Sequence, residues 1–210
     1  PVQSIENMQD THMETLQTHY EDKLGKTSHT TGKNLLLFTA AAHSIRSVLE
    51  ADRKDILAGS TIELLGLEEY RKVKRIYAGL EHPVTFHGVI DRIDSKDGIL
   101  RILDYKTGQT KIKELHLSEI SDCLSNSVYA KSFQLLFYSM LWLEDESNSP
   151  FYAGVISLKN MFSGTMFLGL GTGRTKRTEL VTEDLKNFEK ELEKLVIEIY
   201  TPDIAFKEVI

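Results

Sequence analysis

The sequence predicts a mixed α/β domain in which a central sheet is flanked by helices. Residues 34–58 have a strong amphipathic helical pattern that stops at Gly59, and three extended segments follow it up to Lys106. A second helical stretch, residues 127–144, precedes a hairpin-like segment that begins at residue 151. Helices that alternate with runs of strands are typical of domains built from a sheet layer and helical layers.

The N-terminal part of the chain is predicted to be helical but polar. Residues 3–24 repeat their apolar side chains every three to five positions, and residues 25–33 have the composition of a loop. We therefore expect an N-terminal helical segment and loop over 1–33, followed by the main domain over 34–210. Because the chain starts without Met, we also expect it to be truncated from a longer protein.

The remaining elements are predicted with different clarity. Residues 60–66 and 70–79 alternate only weakly, so a partly helical conformation stays open for them, and 107–126 reads as an irregular connection. Clear patterns predict strands at 84–94 and 99–106, a further hairpin from 151–159 and 163–170, and a last helix from the N-cap Thr182 to about Tyr200.

Composition excludes several classes of protein. The net charge of −6 excludes a basic surface overall, so any nucleic-acid site needs local positive charge. The single cysteine, Cys123, excludes a disulfide framework and an iron–sulfur cluster held by this chain alone, and it predicts a reducing, cytoplasmic setting. No signal-peptide pattern is present, and no apolar run approaches the ~18 residues of a membrane span.

An unusual charge arrangement is predicted for the hairpin 84–106. Asp97-Gly98 is a strong two-residue turn signal, and counting outward from it places Asp94 opposite Arg101 as an ordinary cross-strand ion pair. The same count places Asp91 opposite Asp104, beside apolar residues. Opposite side chains have Cβ atoms about 4.5–5.5 Å apart, so these two carboxylates repel each other.

A divalent cation held between Asp91 and Asp104 would remove this repulsion. Carboxylate oxygens suit Mg²⁺ or Mn²⁺, and Lys106 projects from the same strand face as Asp104. A metal ion beside an ammonium group is suited to phosphodiester hydrolysis. The alternative is that Asp91 merely ends its strand and that Lys106 pairs with one carboxylate.

Three motifs together resemble the PD-(D/E)XK nuclease superfamily. They are GVIDRID at 88–94, ILDYKTG at 102–108 and QLLFY at 134–138. The resemblance is strongest to the RecB-like branch, which includes the nuclease domains of RecB, AddA and AddB. It implies a restriction-endonuclease-like αβββαβ core with extra helices at both termini, and a metal-dependent DNA nuclease, of exonuclease type, in recombination and repair.

The resemblance also implies roles for individual residues. Asp91 and Asp104 would bind Mg²⁺ or Mn²⁺, with the carbonyl of Tyr105 as a third ligand, and Lys106 would be the catalytic lysine. DNA ends or single strands would be the substrate, and a helicase-nuclease subunit a partner.

Residues on the predicted helix 127–144 match a further motif of that branch. Gln134 and Tyr138 match the Q-x-x-x-Y pattern, and Lys131 shares their helix face, next to the site and the DNA. The plainer interpretation is the polar edge of an amphipathic helix.

The remaining metal ligand of the branch, a histidine on an upstream helix, is assigned less directly. His12 lies in a segment similar to the H-x-x-x-L pattern of the branch, and His43 is its rival, although its apolar neighbours suggest a core or groove histidine. Glu68 resembles an acidic position that supports the site, with a surface carboxylate as the alternative.

Two other functions stay open beside the RecB-like one. One is a catalytically weak nuclease fold that serves as a DNA-binding or scaffolding module, and the other is a restriction-type endonuclease or resolvase. Two basic clusters, on a loop and on a predicted strand, are further candidates for DNA contact. They are Arg174, Lys176 and Arg177, and Lys72, Lys74 and Arg75.

Overall fold

A computed structural model describes residues 2–26, 29–143, 149–160 and 164–202 of the 210-residue chain. Its helices are α1 (Val2–Leu24), α2 (Gly32–Leu57), α3 (Asp122–Ser125), α4 (Ala130–Trp142) and α5 (Thr182–Tyr200). Its strands are β1 (Ile62–Arg75), β2 (Val84–Lys96), β3 (Ile99–Lys106), β4 (His116–Leu117), β5 (Phe151–Ser157), β6 (Thr165–Phe167) and β7 (Gly169–Leu170).

The main sheet has five strands in the order β1-β2-β3-β5-β6. Strands β3 and β5 run parallel, and the other neighbours run antiparallel. Helix α4 supplies the crossover between β3 and β5, as a parallel connection requires. The order α2-β1-β2-β3-α4-β5 is the predicted αβββαβ core, so the predicted fold class is confirmed.

The hairpin of β2 and β3 has the predicted register. Asp97 and Gly98 form its turn with φ of 54° and 82°, the positive values that a two-residue turn of this type needs. The pairs are Lys96–Ile99, Ser95–Leu100, Asp94–Arg101, Ile93–Ile102 and Arg92–Leu103. The ladder ends there, and the next residues along the two strands are Asp91 and Asp104.

The two weakly alternating stretches after α2 form one long strand instead of two short segments. Strand β1 pairs with β2 along its whole length, with one register shift between Leu64 and Gly66. Beyond the end of β3 the two strands continue as a two-stranded ribbon, Leu67–Arg75 with Val84–Arg92. One face of this ribbon is buried at Val73, Val84 and Ile90, and the other is exposed.

The core lies between the sheet, α4 and α5. Ile90, Ile93 and Ile102 of the sheet are fully buried together with Leu136 of α4 and Phe188 of α5. Burial of apolar side chains at about 25 cal/mol per Å² is the main source of stability for such an arrangement. The core therefore fixes the position of α4 against the strands that carry the motif residues.

The C-terminal elements differ from the prediction in detail. Only β6 pairs with β5, whereas β7 pairs in parallel with β4, within the stretch 107–126 that was predicted to be irregular. Helix α5 begins at Thr182 with Val181 as its N-cap, and the carboxylate of Asp184 accepts a hydrogen bond from the Val181 N–H at 2.9 Å. The predicted N-cap, Thr182, is thus wrong by one residue. Residues 144 and 163 of the predicted elements lie outside the described residues.

Among the described residues, no helix is both long enough and apolar enough to cross a membrane.

Candidate active site

Asp104 occupies a buried position near the end of β3. Only 2% of it is exposed, and this burial raises the pKa of its carboxyl group above the ordinary value. The Lys106 ammonium acts in the opposite direction, and the negative charge of Asp91 raises the pKa further. The effect of Asp91 is the like-charge interaction that the sequence predicted.

Asp91 is attached to the same strand through the main chain. Its Oδ2 accepts a hydrogen bond of 2.8 Å from the backbone N–H of Tyr105, which lies between Asp104 and Lys106. A hydrogen bond from an amide to a carboxylate is stronger than one between neutral groups. It holds the Asp91 carboxylate at the point where β2 and β3 stop pairing.

Lys106 is held between β3 and α4. Its Nζ lies 2.7 Å from Asp104 Oδ2 and donates a hydrogen bond of 2.7 Å to Gln134 Oε1. Gln134 Nε2 in turn donates to the Tyr138 hydroxyl at 2.9 Å, one helical turn further on. Gly88 leaves room for this ring, because a Cβ there would lie 3.1 Å from Tyr138 Cε1.

The Asp104 oxygen that faces Lys106 lacks the hydrogen bond that a buried carboxylate normally accepts. Asp104 Oδ2 is buried, and its ion pair with Lys106 lacks the angles of a hydrogen bond, so the described residues give this oxygen no hydrogen-bond donor. A buried oxygen without a donor is costly unless a charged group compensates it. The Lys106 ammonium does not fully offset the burial, since the pKa of Asp104 stays raised. Mg²⁺ and Mn²⁺ prefer oxygen ligands, so this oxygen beside Asp91 fits a divalent cation.

Comparison with known proteins identifies the family. The model of the PD-(D/E)XK nuclease superfamily matches residues 5–209 of the chain. The chain belongs to the PD-(D/E)XK nuclease superfamily. A search among curated proteins gave no significant match. Members of this superfamily are nucleases that generally use divalent metal ions such as Mg²⁺, which agrees with the carboxylates and lysine of the site.

The other predicted metal ligand of this nuclease does not join the carboxylates. His12 lies on α1 with its Nδ1 2.6 Å from the carbonyl oxygen of Gln9. No group of three or more His, Cys, Asp or Glu side chains in the described part of the chain lies close enough to share a metal ion. His12 as a ligand therefore stays a prediction. His43 is exposed on α2, so the core position suggested by its apolar neighbours is wrong.

Two predicted supporting residues have different surroundings from Gln134 and Tyr138. Lys131 forms an ion pair with Glu114, so its ammonium is already paired. Glu68 is exposed on β1 and lies at the level of Asp91, between the pairs Leu67–Arg92 and Glu69–Ile90. Its φ of 50° is unusual for a residue other than glycine and marks an irregularity of β1 beside the site.

A buried ion network escaped the sequence analysis. Asp94 is completely buried, and Arg101 binds it with two hydrogen bonds of 2.6 and 2.8 Å. Arg92 donates to Asp94 at 2.6 Å and to Asp52 of α2 at 2.8 Å. Burial lowers the pKa of Arg92, but its hydrogen bond and charge interaction with Asp52 outweigh that effect and raise it. The predicted ordinary ion pair is thus part of a cluster that connects α2 with β2 and β3.

The network also reaches Tyr105, the residue between Asp104 and Lys106. The hydroxyl of Tyr105 lies 3.4 Å from Arg92 NH1, and burial raises the pKa of this phenol. The spacing of Arg92 and Asp94, two residues apart, was the one signal in the sequence, because such residues share a strand face. Asp52 gave no signal because its partner is distant in the chain.

A wide groove of the nuclease lies away from the carboxylates. It has a volume of about 710 Å³ and is lined mainly by apolar residues of α2, together with Tyr105 and Thr107. Tyr105 and Lys106 are consecutive on β3, so their side chains project to opposite sheet faces. Apolar walls without carboxylates give no hold for a metal ion, in contrast to the carboxylates of Asp91 and Asp104.

The predicted basic loop is occupied by interactions within the protein. Arg177 donates two hydrogen bonds, of 2.9 and 2.6 Å, to the carboxylate of Asp184. The Nζ of Lys176 lies 2.8 Å from His116 Nδ1. These contacts favour a surface turn over a contact with the DNA backbone.

Proposed function

We propose that this chain is a Mg²⁺- or Mn²⁺-dependent DNA nuclease of the RecB/AddB type that degrades DNA from ends or as single strands. The observation that carries the proposal is the buried Asp104 carboxylate, with an oxygen that lacks a donor, placed beside Asp91 and 2.7 Å from the Lys106 ammonium. Structural carboxylates are normally satisfied by donors, so this arrangement favours a reaction site.

The ligands that we assign to the metal ion are the carboxylates of Asp91 and Asp104 and the carbonyl of Tyr105. The bound ion would supply Lewis acidity and lower the pKa of a water molecule. The chain's own contribution is orientation: the N–H of Tyr105 fixes Asp91, and Gln134 fixes Lys106. The ammonium of Lys106 positions the attacking water or stabilises the negative charge that develops on the phosphate.

The RecB-like branch is supported by the connection of Lys106 to α4. Gln134 and Tyr138, the residues of the Q-x-x-x-Y pattern, extend the hydrogen bonds of the lysine in one chain. The exonuclease mode, the role in recombination and repair, the cytoplasmic setting and the helicase-nuclease partner follow from the resemblance to that branch.

The test is cleavage of linear and circular single-stranded and double-stranded DNA with Mn²⁺ or Mg²⁺. We expect Asp104→Ala and Lys106→Ala each to reduce the rate by about 100-fold or more, since each removes a group that acts in the transition state. The matched controls are Asp55→Ala and Lys96→Ala, which break a surface ion pair of 2.5 Å elsewhere in the protein and should cleave as wild type does.

The possible outcomes separate the candidate functions. Cleavage that survives both Asp104→Ala and Lys106→Ala would overturn the site. Rapid cleavage of circular DNA would reject the exonuclease mode and favour a restriction-type endonuclease. Absence of cleavage by the wild type, with DNA binding retained, would favour the DNA-binding or scaffolding module.

A further inference from the structure

Arg71 of β1 lies on the same side of the sheet as Lys106 and Gln134. It pairs with Gly88 of β2, and a Cβ on Gly88 would point at α4, 3.1 Å from Tyr138 Cε1. Directly opposite residues of an antiparallel pair project from the same face, so Arg71 also faces α4. Its guanidinium carbon lies there over the Trp142 ring, 4.3 Å from the ring centre.

The Arg71 guanidinium has donors without acceptors. Its five N–H groups form no hydrogen bond with any residue that the structure describes, and its Nε is buried in this unsatisfied state. The ion pair with Glu69 measures 4.0 Å, which is too long for a hydrogen bond, and the two side chains are 43% and 40% exposed. An exposed pair of this kind contributes little, so a buried donor is left that a ligand could satisfy.

A phosphate group matches these donors. A planar guanidinium binds phosphate through two parallel N–H···O bonds, and its contact with an aromatic ring holds it in place without using those N–H groups. The neighbouring Arg75 differs, because it already donates hydrogen bonds of 3.0 and 2.8 Å to Glu189. Arg71 is thus oriented by Trp142 but keeps its hydrogen-bonding capacity for a partner outside the described residues.

A row of side chains along α4 connects Arg71 with the candidate site. Gln134, Tyr138 and Trp142 follow one another at intervals of four residues, so they lie on one side of the helix. Gln134 contacts Lys106 at one end of the row, and Trp142 contacts Arg71 at the other. Eight residues at 1.5 Å each separate the two ends by roughly 12 Å. At about 3.4 Å per stacked nucleotide, this distance corresponds to a few nucleotides.

We propose that Arg71 binds a backbone phosphate of the DNA, a few nucleotides away from the phosphodiester that lies at Lys106. The Trp142 ring holds the guanidinium in position for this contact, which aligns the DNA along α4. The proposal rests on the proposed nuclease function and deepens it, since it assigns a substrate-binding residue outside the carboxylate site.

The binding test uses a fluorescent DNA oligonucleotide and anisotropy, in EDTA so that no cleavage occurs, at several salt concentrations. We expect Arg71→Gln to bind about tenfold more weakly at low salt, because it removes a charged hydrogen-bond donor. The slope of log affinity against log salt should fall in magnitude by about 0.7 to 0.9, the contribution of one phosphate contact. Arg71→Lys should keep the slope but only part of the affinity, because an ammonium group lacks the forked geometry.

Steady-state cleavage in Mn²⁺ separates substrate binding from the reaction. Arg71→Gln should raise KM by about tenfold and change kcat by less than about twofold, because the contact lies away from the reacting atoms. Calorimetric titration should show wild-type affinity for Mn²⁺. Arg71→Met keeps an apolar stem against the Trp142 ring and should match Arg71→Gln. An unchanged Tm in Arg71→Met assigns its effect to the lost charge and not to the fold.

The matched control is Lys72→Gln/Lys74→Gln. Both lysines are exposed on the same strand, but Val73 between them is buried, so they project from the opposite face of the sheet. We expect this variant to keep the wild-type affinity, slope and KM. Trp142→Leu should weaken DNA binding about threefold, since it removes the ring that orients Arg71, and Trp142→Phe should lose less.

The outcomes distinguish this proposal from the proposed function. If wild type cleaves DNA but Arg71→Gln and Arg71→Met keep its affinity, slope and KM, Arg71 does not bind the substrate and the nuclease function stands. If wild type binds DNA through Arg71 without cleaving it in Mn²⁺, the nuclease function fails and the phosphate contact stands. An equal loss of affinity in Lys72→Gln/Lys74→Gln would place the DNA on the opposite face and overturn the proposal.

Discussion

At the scale of single residues, the candidate site contains a lysine whose ammonium is held from two sides. Asp104 attracts the Lys106 ammonium from its own strand, and Gln134 accepts a hydrogen bond from it on α4. Two short contacts restrict the rotation of a side chain that otherwise has several freely rotating bonds. Such restriction places the charge before substrate arrives, which is the condition for electrostatic stabilisation of a transition state.

Replacing Gln134 tests this positioning. We expect Gln134→Ala to lower kcat by about tenfold, with a smaller change in KM, because Lys106 keeps its charge but loses its acceptor on α4. Tyr138→Phe is the matched variant, since it leaves the Gln134 acceptor in place and should cost less. Steady-state kinetics with Mn²⁺ measure both, and an unchanged kcat in Gln134→Ala would contradict a positioning role.

Replacing Asp104 by its neutral isostere should stabilise the metal-free fold while it abolishes cleavage. Burial raises the pKa of Asp104 despite the nearby ammonium of Lys106, so the folded state disfavours the charged form. We expect Asp104→Asn to raise the Tm of the protein in EDTA by about 2–4 °C at neutral pH, the shift that corresponds to about 1 kcal/mol.

The pH dependence of this difference has a definite sign. Because the pKa of Asp104 is higher in the folded state, the native protein binds more protons than the unfolded chain. The loss of stability caused by the charged carboxylate is therefore present above the raised pKa and disappears as pH falls. The advantage of Asp104→Asn should therefore shrink on acidification, and Mn²⁺ should raise the Tm of wild type only. Scanning calorimetry decides both points, and a lower Tm for Asp104→Asn in EDTA would show that the ion pair with Lys106 outweighs burial.

At the scale of elements, the buried ion network fixes the strands that carry the site. Asp94 of β2 binds Arg101 of β3, and Arg92 of β2 connects Asp94 with Asp52 on α2. Two carboxylates and two guanidinium groups balance in charge, so the cluster is tolerated in the interior. Because Arg92 follows Asp91 directly, a shift of the network would also move the carboxylate site.

Removing the central carboxylate of the network should be strongly destabilising. We expect Asp94→Asn to reduce the free energy of unfolding by about 3 kcal/mol, since it leaves Arg92 and Arg101 buried without a full counter-charge. The comparison variant is Glu189→Gln, which breaks the half-exposed ion pair with Arg75 and should cost at most about 1 kcal/mol. Equal costs in urea unfolding would show that the network is solvated.

At the scale of the whole molecule, the local features of the site could be predicted from the sequence, and the long-range ones could not. The turn at Asp97-Gly98 fixes its own neighbours, so the register that leads to Asp91 and Asp104 follows from a few adjacent residues. The contact of Asp52 with Arg92 joins residues 40 positions apart, and no local pattern encodes it.

The sequence also did not predict which residues lie on each face of the long β1–β2 ribbon. Its outward lysines are defined by packing of the opposite side on α4 and α5, which is a tertiary effect that overrides weak strand alternation. Sequence motifs therefore predict the residues of the proposed site, whereas the surroundings of these residues depend on the folded structure. The division of the chain at residue 33 stays a prediction.

The position of α1 within the whole molecule provides a test of the last predicted ligand. Helix α1 packs on α2. The Gln9 side chain donates a hydrogen bond to Glu50, and Arg53 donates one to Glu6. Helix α2 covers the sheet face of Tyr105, whereas Lys106 and Gln134 lie on the other face. His12 thus lies on the side of α2 that faces away from the sheet. Its ring is within hydrogen-bond distance of the Gln9 carbonyl oxygen on the same helix.

We therefore expect His12→Ala to bind Mn²⁺ within about twofold of wild type, whereas Asp91→Ala should lose affinity by about tenfold or more, as loss of a carboxylate ligand does. Calorimetric titration of Mn²⁺ without DNA measures both affinities independently of cleavage. His43→Ala, which removes the rival histidine from the exposed side of α2, is the control. A tenfold loss confined to His12→Ala would show that α1 moves toward the carboxylates on metal binding, and would restore His12 as a ligand.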